Sequence, residues 1–412
     1  MKTYHQAEVE RLSQTARAKV LASNGANKVA AHTVTQLYAT GSPQIRAYLK
    51  NAQNVVMRYR RREVLKRREA RKIIARGRLI TAVQKHIHPL LSKADTIQSR
   101  LGFAKLVRTY TLDMKPCLTV ENGKLALSNR KDTTIVTFDK RIGTESSYGV
   151  AYMAAGKGFH RLLKFSCKIM DVRDGHALEV KLLKKMNKFV ERHVCPNFPL
   201  TYNVLKCEKP CNYVNNCLRN RNRHPMVQNR GYYVVMNELA DSDLRTFFRS
   251  SIHNAATYES LAMQMFFAIY AFHKLGYSHE DAHHGNFLVH KIAPGGCWWY
   301  KIGHIDVYVP NTGYLLVLWD PGMAIKMKDA YFMDDYERCF DLFHKNCLPF
   351  ETKGELITRI RHCLAGGGGE LEFATRFLST VTLRSVRIGG NNNRSSNRRL
   401  INTRPYLIYP EK

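Results

Sequence analysis

The chain has no apolar run approaching the ~18 residues that a membrane-spanning helix needs. Met1 to Val20 also lacks the apolar centre of a secretory signal. No membrane span is expected, and the protein reads as intracellular. Acids are scarce: 33 Asp and Glu stand against 65 Lys and Arg, a formal charge of +32. So lopsided a balance implies association with a polyanion, such as nucleic acid, with a merely solubilising surface as the plainer alternative. Cysteine pairing is missing as well. The ten cysteines are scattered without a framework, which fits reduced thiols inside a cell. Cys207, Cys211 and Cys217 lie close together, but no fourth zinc ligand is near them.

What is present is globular. The hydrophobic fraction is 44% and the aromatic fraction 10%, and 412 residues suffice for two or three domains. Three parts differ in pattern: a basic helical extension over 1–110, a β-rich part over 111–240 and a helical part over 241–412. In the first, RYRRREVLKRREARKIIARGR at 58–78 carries eleven basic residues and two acids around a thin apolar stripe of Val64, Leu65, Ile73 and Ile74. Such a helix can track phosphates, although charge runs are more often solvated faces. In the second, TTIVTF, VAYMA, LLKFSCKIM and GYYVVMNEL read as strands. HALEVKLLKKMNKFVERHV at 176–194 has apolar residues at helical spacing. A sheet with one helix followed by a helical half places a cleft between them, where ligands favour binding.

One loop concentrates polar chemistry. GYSHEDAHHGNFLVH at 276–290 holds His279, His283 and His284 with Glu280, Asp281 and Asn286. Desolvated groups of this kind need partners. Two readings are open: a metal site on the histidines, or a phosphate-handling loop on Asp281 and Asn286. The spacing H-x-D-x-x-x-x-N is that of a protein-kinase catalytic loop, and LLVLWDPG at 315–322 follows as an apolar strand ending in Asp320-x-Gly.

Upstream, RIGTESSYGVAYM at 141–153, FSCKIM with Lys168, Glu179 in the helix, and VVMNELADSDL at 234–244 stand in the order of a kinase nucleotide site. Over about 133–345 the chain resembles the protein-kinase-like superfamily, in particular serine/threonine kinases of large DNA viruses. The resemblance includes the hairpin HKIAPGGCWWYKIGHIDVYVPNTGYLLVLWD and NTRPYLI near the C-terminus.

The resemblance implies an α+β, two-lobed protein-kinase-like fold: a small β-rich lobe with one main helix over 111–240, and a helical lobe over 241–412 with a hairpin insertion at about 291–313. It implies ATP and Mg2+ as cofactors and a protein hydroxyl as acceptor. Gly143, Ser146, Gly149 and Val150 would cover the phosphates. Lys168 would hold them with Glu179 as its partner, in preference to the rival Lys164. Met236, Asn237, Glu238 and Leu239 would receive the adenine. Asp281 would orient the acceptor hydroxyl, and Asn286 and Asp320 would hold the metal. His279 would be a structural hydrogen-bonding residue. The viral likeness points to host cytoplasm and virion.

The departures are specific. Ser146 or Glu145 stands for the middle glycine of the phosphate loop, Pro321 for the usual Phe and Glu280 for the usual Arg; no Ala-Pro-Glu follows Asp320. Control by a phosphorylated activation loop is not expected. D-x-H-x-x-N also occurs in aminoglycoside and choline phosphotransferases, which gives a second reading. A third is a catalytically silent scaffold that binds nucleic acid through residues 1–110.

Overall fold

A computed structural model of the chain describes residues 96–408, apart from 147–148, 158–162, 173, 209–230, 251–253, 328–331, 348–349 and 390–399, together with scattered residues between Pro43 and Arg67. Most of the basic run at 58–78, Cys211 and Cys217 lie outside the described residues. Two compact units emerge, Met1–Arg78 and Leu79–Lys412. In the first, the described residues are helical, and Val64 and Leu65 of the apolar stripe are exposed.

The second unit is α+β. It opens with α1 (Thr96–Tyr110) and two strands, β1 (Met114–Glu121) and β2 (Lys124–Asn129). Asn122 and Gly123 join them at φ 52° and 73°, the two-residue turn that Asn-Gly favours because both residues tolerate positive φ. Then come β3 (Thr134–Ser146), β4 (Gly149–Gly156), β5 (Lys164–Asp171), α2 (Asp174–Glu191), β6 (Thr201–Cys207) and β7 (Tyr232–Asn237). The strands pair antiparallel in the order β1-β2-β3-β4-β5-β7-β6. Inner strands β5 and β7 bury Phe165, Cys167, Ile169, Val234, Val235 and Met236, so they read as apolar runs rather than alternations.

Edge strands β1 and β6 lie against each other, joined by a disulfide between Cys117 and Cys207. The expectation of reduced thiols throughout is thereby corrected. A pair 90 residues apart in sequence leaves no local spacing signal, and only the curl of the sheet brings it together. The division at residue 110 also shifts. Helix α1 packs on β6 and α2, and the buried Arg100 binds Pro196 O, Phe198 O and both carboxylate oxygens of Glu238. The helix thus belongs with the sheet, not with the basic extension.

Beyond β7 the chain forms β8 (Ser242–Asp243), α3 (Leu244–Ser250) and α4 (Ala255–His273). Asn254 caps α4 by accepting from Thr257 N. From Thr257 to His273 the helix is buried on every face, as a central pillar must be. β9 (Tyr277–Ser278), β10 (Phe287–Lys291), β11 (Cys297–Ile302), β12 (Ile305–Pro310) and β13 (Tyr314–Leu318) follow. After a 3-10 turn at Pro321–Met323 come β14 (Ile325–Lys326), α5 (Phe332–Cys347), α6 (Phe350–Ala365), α7 (Glu370–Thr380), β15 (Arg387–Ile388) and β16 (Tyr406–Leu407).

The region read as an insertion is a hairpin, β11 on β12, extended by β15 and β16. Its inner residues, Trp298, Tyr300, Ile302, Ile305, Val307 and Val309, are buried, and Tyr300 stacks on Phe267 of α4 at 4.1 Å. The Asn402 side chain accepts from Trp299 N and donates to Trp299 O. That amide ties the C-terminal motif NTRPYLI to the hairpin.

Candidate active site

Helix α4 delivers the polar loop. After His273 the chain reverses through Gly276, at φ 85°, and enters β9 and the 279–286 segment. His279 is fully buried and bonds through Nε2 to Trp319 O at 3.0 Å. Burial lowers its pKa, so the ring is neutral and Nε2 carries the donated proton. His283 N donates to Asp281 O, and the Asn286 amide donates to Asp281 Oδ2 at 2.8 Å and to Asp281 O at 2.9 Å. The spacing of five residues is therefore a closed turn that faces one side chain onto the other. The three histidines diverge: His279 points to Trp319, His283 Nδ1 accepts from Gly285 N, and His284 binds Arg245.

Sheet pairing brings Asn286 and Asp320 together. β10 and β13 are antiparallel, with Phe287 opposite Leu318, so the residue before β10 and the segment after β13 leave the same end. Trp319 N donates to Asn286 O at 2.8 Å. The long hairpin between the two residues projects from the other end of these strands and leaves the site undisturbed.

Lys168 completes the cluster. From β5 its ammonium reaches Glu179 Oε1 of α2 at 2.9 Å and Asp320 Oδ1 at 2.6 Å, while Lys164 on the same strand is exposed. Burial acts against all three charges. The two carboxylates still raise the Lys168 pKa, and the ammonium lowers that of Asp320. Glu179, deepest of the three, is pushed up by burial because it shares one ammonium with Asp320. Its Oε2 is buried without a hydrogen-bond partner.

The β3–β4 hairpin lies over this lysine. Gly143 sits at φ 77° where the register between the strands slips, and the backbone of Ser146 pairs with Gly149. A Cβ at Gly149 would lie 2.9 Å from Ile169 O and 3.2 Å from Lys168 Cε, so only glycine permits that approach. Val150 is half-buried and pairs with Ile169.

The predicted adenine residues divide. Met236 is buried and Leu239 half-buried, but the polar groups of the other two face inward. Asn237 Oδ1 accepts from Thr201 Oγ1, and the Glu238 carboxylate is held by Arg100 and Leu200 N. Sequence order placed Glu238 at the nucleotide. Its charge is committed to α1.

Sequence reasoning missed Asp335. Its Oδ2 accepts from His279 N at 2.6 Å and its Oδ1 from Glu280 N at 2.9 Å, fixing the backbone just before Asp281. Nothing local in FMDDYER marks that acid, because its partners lie more than fifty residues upstream.

The oxygen donors suit a small hard cation. Asn286 spends its amide hydrogens on Asp281, which leaves its carbonyl oxygen to act as a ligand, and the Asp320 side chain is about a third exposed. Mg2+ is commonly held by one or two such groups, with phosphate and water completing the shell. Mg2+ fits the oxygen donors present.

Comparison with known proteins supports a kinase-like relation: the chain is similar to proteins of iridescent viruses, one of them named a probable serine/threonine-protein kinase. It is 24% identical over 250 residues to the "Probable serine/threonine-protein kinase 380R" of Invertebrate iridescent virus 6, covering 57% of this chain and 46% of that protein. It is 29% identical over 139 residues to "Uncharacterized protein 011L" of Invertebrate iridescent virus 3, covering 33% of this chain and 18% of that protein. The matches thus span less than half of either relative. No family model matches the chain.

Proposed function

We propose that the chain is an ATP-dependent phosphotransferase of the serine/threonine protein kinase kind, with the sheet part and the helical part as its two lobes. The observation that carries the reading is the sharing of Lys168 between Glu179 and Asp320, beside the Asp281–Asn286 turn. Two carboxylates far apart in sequence from each other converge on one cation, and the relative named as a probable kinase supports the same chemistry.

In this reading Lys168 binds the α and β phosphates of ATP, and Glu179 fixes the lysine's direction. Asp281 accepts a hydrogen bond from the acceptor hydroxyl and takes its proton as the oxygen attacks the γ-phosphorus. The bond from that phosphorus to the β–γ bridging oxygen breaks, and ADP leaves. Mg2+ on Asp320 and Asn286 would offset negative charge on the phosphate oxygens. Gly143 and Gly149 let the hairpin backbone approach from above.

The acceptor is taken to be a protein hydroxyl. A basic surface repels cationic aminoglycosides or choline, which favours protein over those small acceptors. Residues 1–110 are assigned a nucleic-acid or other polyanionic partner on the strength of their charge. Host cytoplasm and virion are assigned from the viral relatives. Transfer of labelled phosphate from Mg-ATP to basic, acidic and tyrosine-containing proteins, beside aminoglycosides, tests the reading, with Lys168→Met as control. Label on protein serine or threonine that disappears in the control supports it. No transfer to any acceptor, with no metal-dependent thermal shift by ATP, refutes it and favours the silent scaffold.

A further inference from the structure

Under the loop that carries Asp281 lies a charge cluster that phosphoryl transfer leaves unused. His273, the last residue of α4, is buried, and each ring nitrogen faces a carboxylate: Nδ1 lies 2.6 Å from Glu370 Oε1 and Nε2 2.9 Å from Asp335 Oδ2. Neutral imidazole has one N–H and one lone pair, so it could satisfy only one of them; an imidazolium donates to both. Asp335 in turn accepts from the amides of His279 and Glu280, and Ser278 Oγ lies 3.0 Å from it and 2.7 Å from the Glu280 carboxylate, one of which takes its single proton. Glu280 is held at φ 63°, a conformation that a non-glycine residue adopts only under constraint, and Asp281 follows it directly.

We propose that His273 is a positioning residue for Asp281: its imidazolium braces Asp335 against the two loop amides and anchors that brace to α7 through Glu370. The inference rests on the phosphotransferase reading and adds a residue that touches no substrate.

The other groups facing the cluster support a permanent charge at neutral pH. Burial works to lower the His273 pKa, but the Glu370 carboxylate and the bond to Asp335 bring it up to about 9. Glu370 is also bound by Lys274 at 2.7 Å and by Tyr336 OH at 3.0 Å, and Lys274 lies 4.2 Å over the Tyr270 ring. Burial raises Tyr270, Tyr336 and Cys339, so none of these loses a proton in the range where His273 does. His279 is lowered and stays neutral. Lys185 of α2 and Gly276 line a cavity of about 460 Å³ with His273, Lys274 and Glu370, while the His273 ring itself stays buried. The folded-state pKa is raised, so the brace is complete below the ordinary histidine range and is lost as pH rises through about 9.

The test uses the full chain and Glu370→Gln, which keeps shape and an acceptor but removes one charge. Ring nitrogen NMR without nucleotide should show His273 doubly protonated at pH 7.5; a neutral ring overturns the proposal whatever the activity. Turnover should fall above pH 9 with the KM for ATP flat, and the limb should move down by about one pH unit in Glu370→Gln, making the variant about fivefold slower than the full chain at pH 9. Coincident limbs overturn the proposal and leave the phosphotransferase reading intact. Where the full chain transfers no phosphate, that reading fails, and hydrogen exchange decides the brace. At pH 8.5 the segment 277–282 should lose about threefold in protection in Glu370→Gln; equal protection overturns the brace. His273→Gln serves as the second variant.

Discussion

Replacing Arg100 with Leu should destabilise the second unit more than a surface charge change could. The guanidinium lies 2.9 and 2.8 Å from the two carboxylate oxygens of Glu238, with side chains 0% and 6% exposed. Burial would raise the Glu238 pKa, but the Arg100 charge, with smaller help from His290 and Leu200 N, brings it down to about 2 from 4.5. At 1.36 kcal/mol per pKa unit, that shift corresponds to about 3 kcal/mol of stability at neutral pH. Breaking a buried pair by removing one partner costs about 3 to 5 kcal/mol by general experience, which agrees. Because the folded pKa is depressed, the contribution is present above about 4.5 and is lost as pH falls through about 2. Urea denaturation at pH 7 measures the loss in Arg100→Leu, and Arg100→Leu/Glu238→Leu should recover part of it because no unpaired charge remains. A loss under about 1 kcal/mol, or a double variant no better than the single one, would refute the reasoning.

Asp281→Asn should abolish phosphoryl transfer while nearly sparing ATP binding, whereas Asp320→Ala should lose metal-dependent binding too; calorimetry with and without Mg2+ separates them. Cys117→Ser removes a cross-link closing a loop of about 90 residues and should lower stability by about 4.6 kcal/mol on the chain-entropy account, with non-reducing peptide mapping reporting the bond in the parent chain. Deleting residues 1–78, rather than 1–110, should weaken DNA or RNA binding and flatten its salt dependence while sparing α1; an unchanged slope would assign the charge to the rest of the chain.

What the sequence disclosed about the site follows from distance along the chain. The Asp281–Asn286 turn spans five residues, so its spacing alone encodes the contact. Lys168 was legible because the FSCKIM strand follows the Gly143–Gly149 segment at the distance a kinase lysine keeps, which Lys164 on the same strand does not, and Glu179 because a helix follows at once. Asp335 and Arg100 were not legible. Each sits in a helix among other charges, and only tertiary packing selects one acid or one arginine from its neighbours. Arg100 was hidden further by lying just beyond a strongly basic stretch, so its helix read as part of the extension. The Asn-Gly turn between β1 and β2 was a local signal, but the strands beside it mix lysine and threonine with apolar residues and gave a weak alternation.

The departure at Asp320-Pro-Gly makes physical sense in this setting. Asp320 stands at φ 59°, ψ 66°, a left-handed conformation that aspartate tolerates better than most residues, and it opens the 3-10 turn Pro321–Met323. Proline suits the first position of such a turn, because its fixed φ is already helical and the N–H it lacks would have no partner there. Gly322 answers a different demand. A Cβ at that position would lie 3.2 Å from Glu179 Oε2 and 3.3 Å from Asp320 Oδ1, against the oxygen of Glu179 that has no hydrogen-bond partner. Gly322→Ala should therefore push α2 outward or turn Glu179 away from Lys168, and a larger residue should do so more strongly. With Pro321 buried, the turn is built to hold Asp320 in one place. The expected readout is a loss of Lys168-dependent ATP affinity in Gly322→Ala with the Arg100–Glu238 contribution to stability unchanged. Wild-type ATP affinity in that variant would mean that α2 yields without cost and that the glycine serves only the turn.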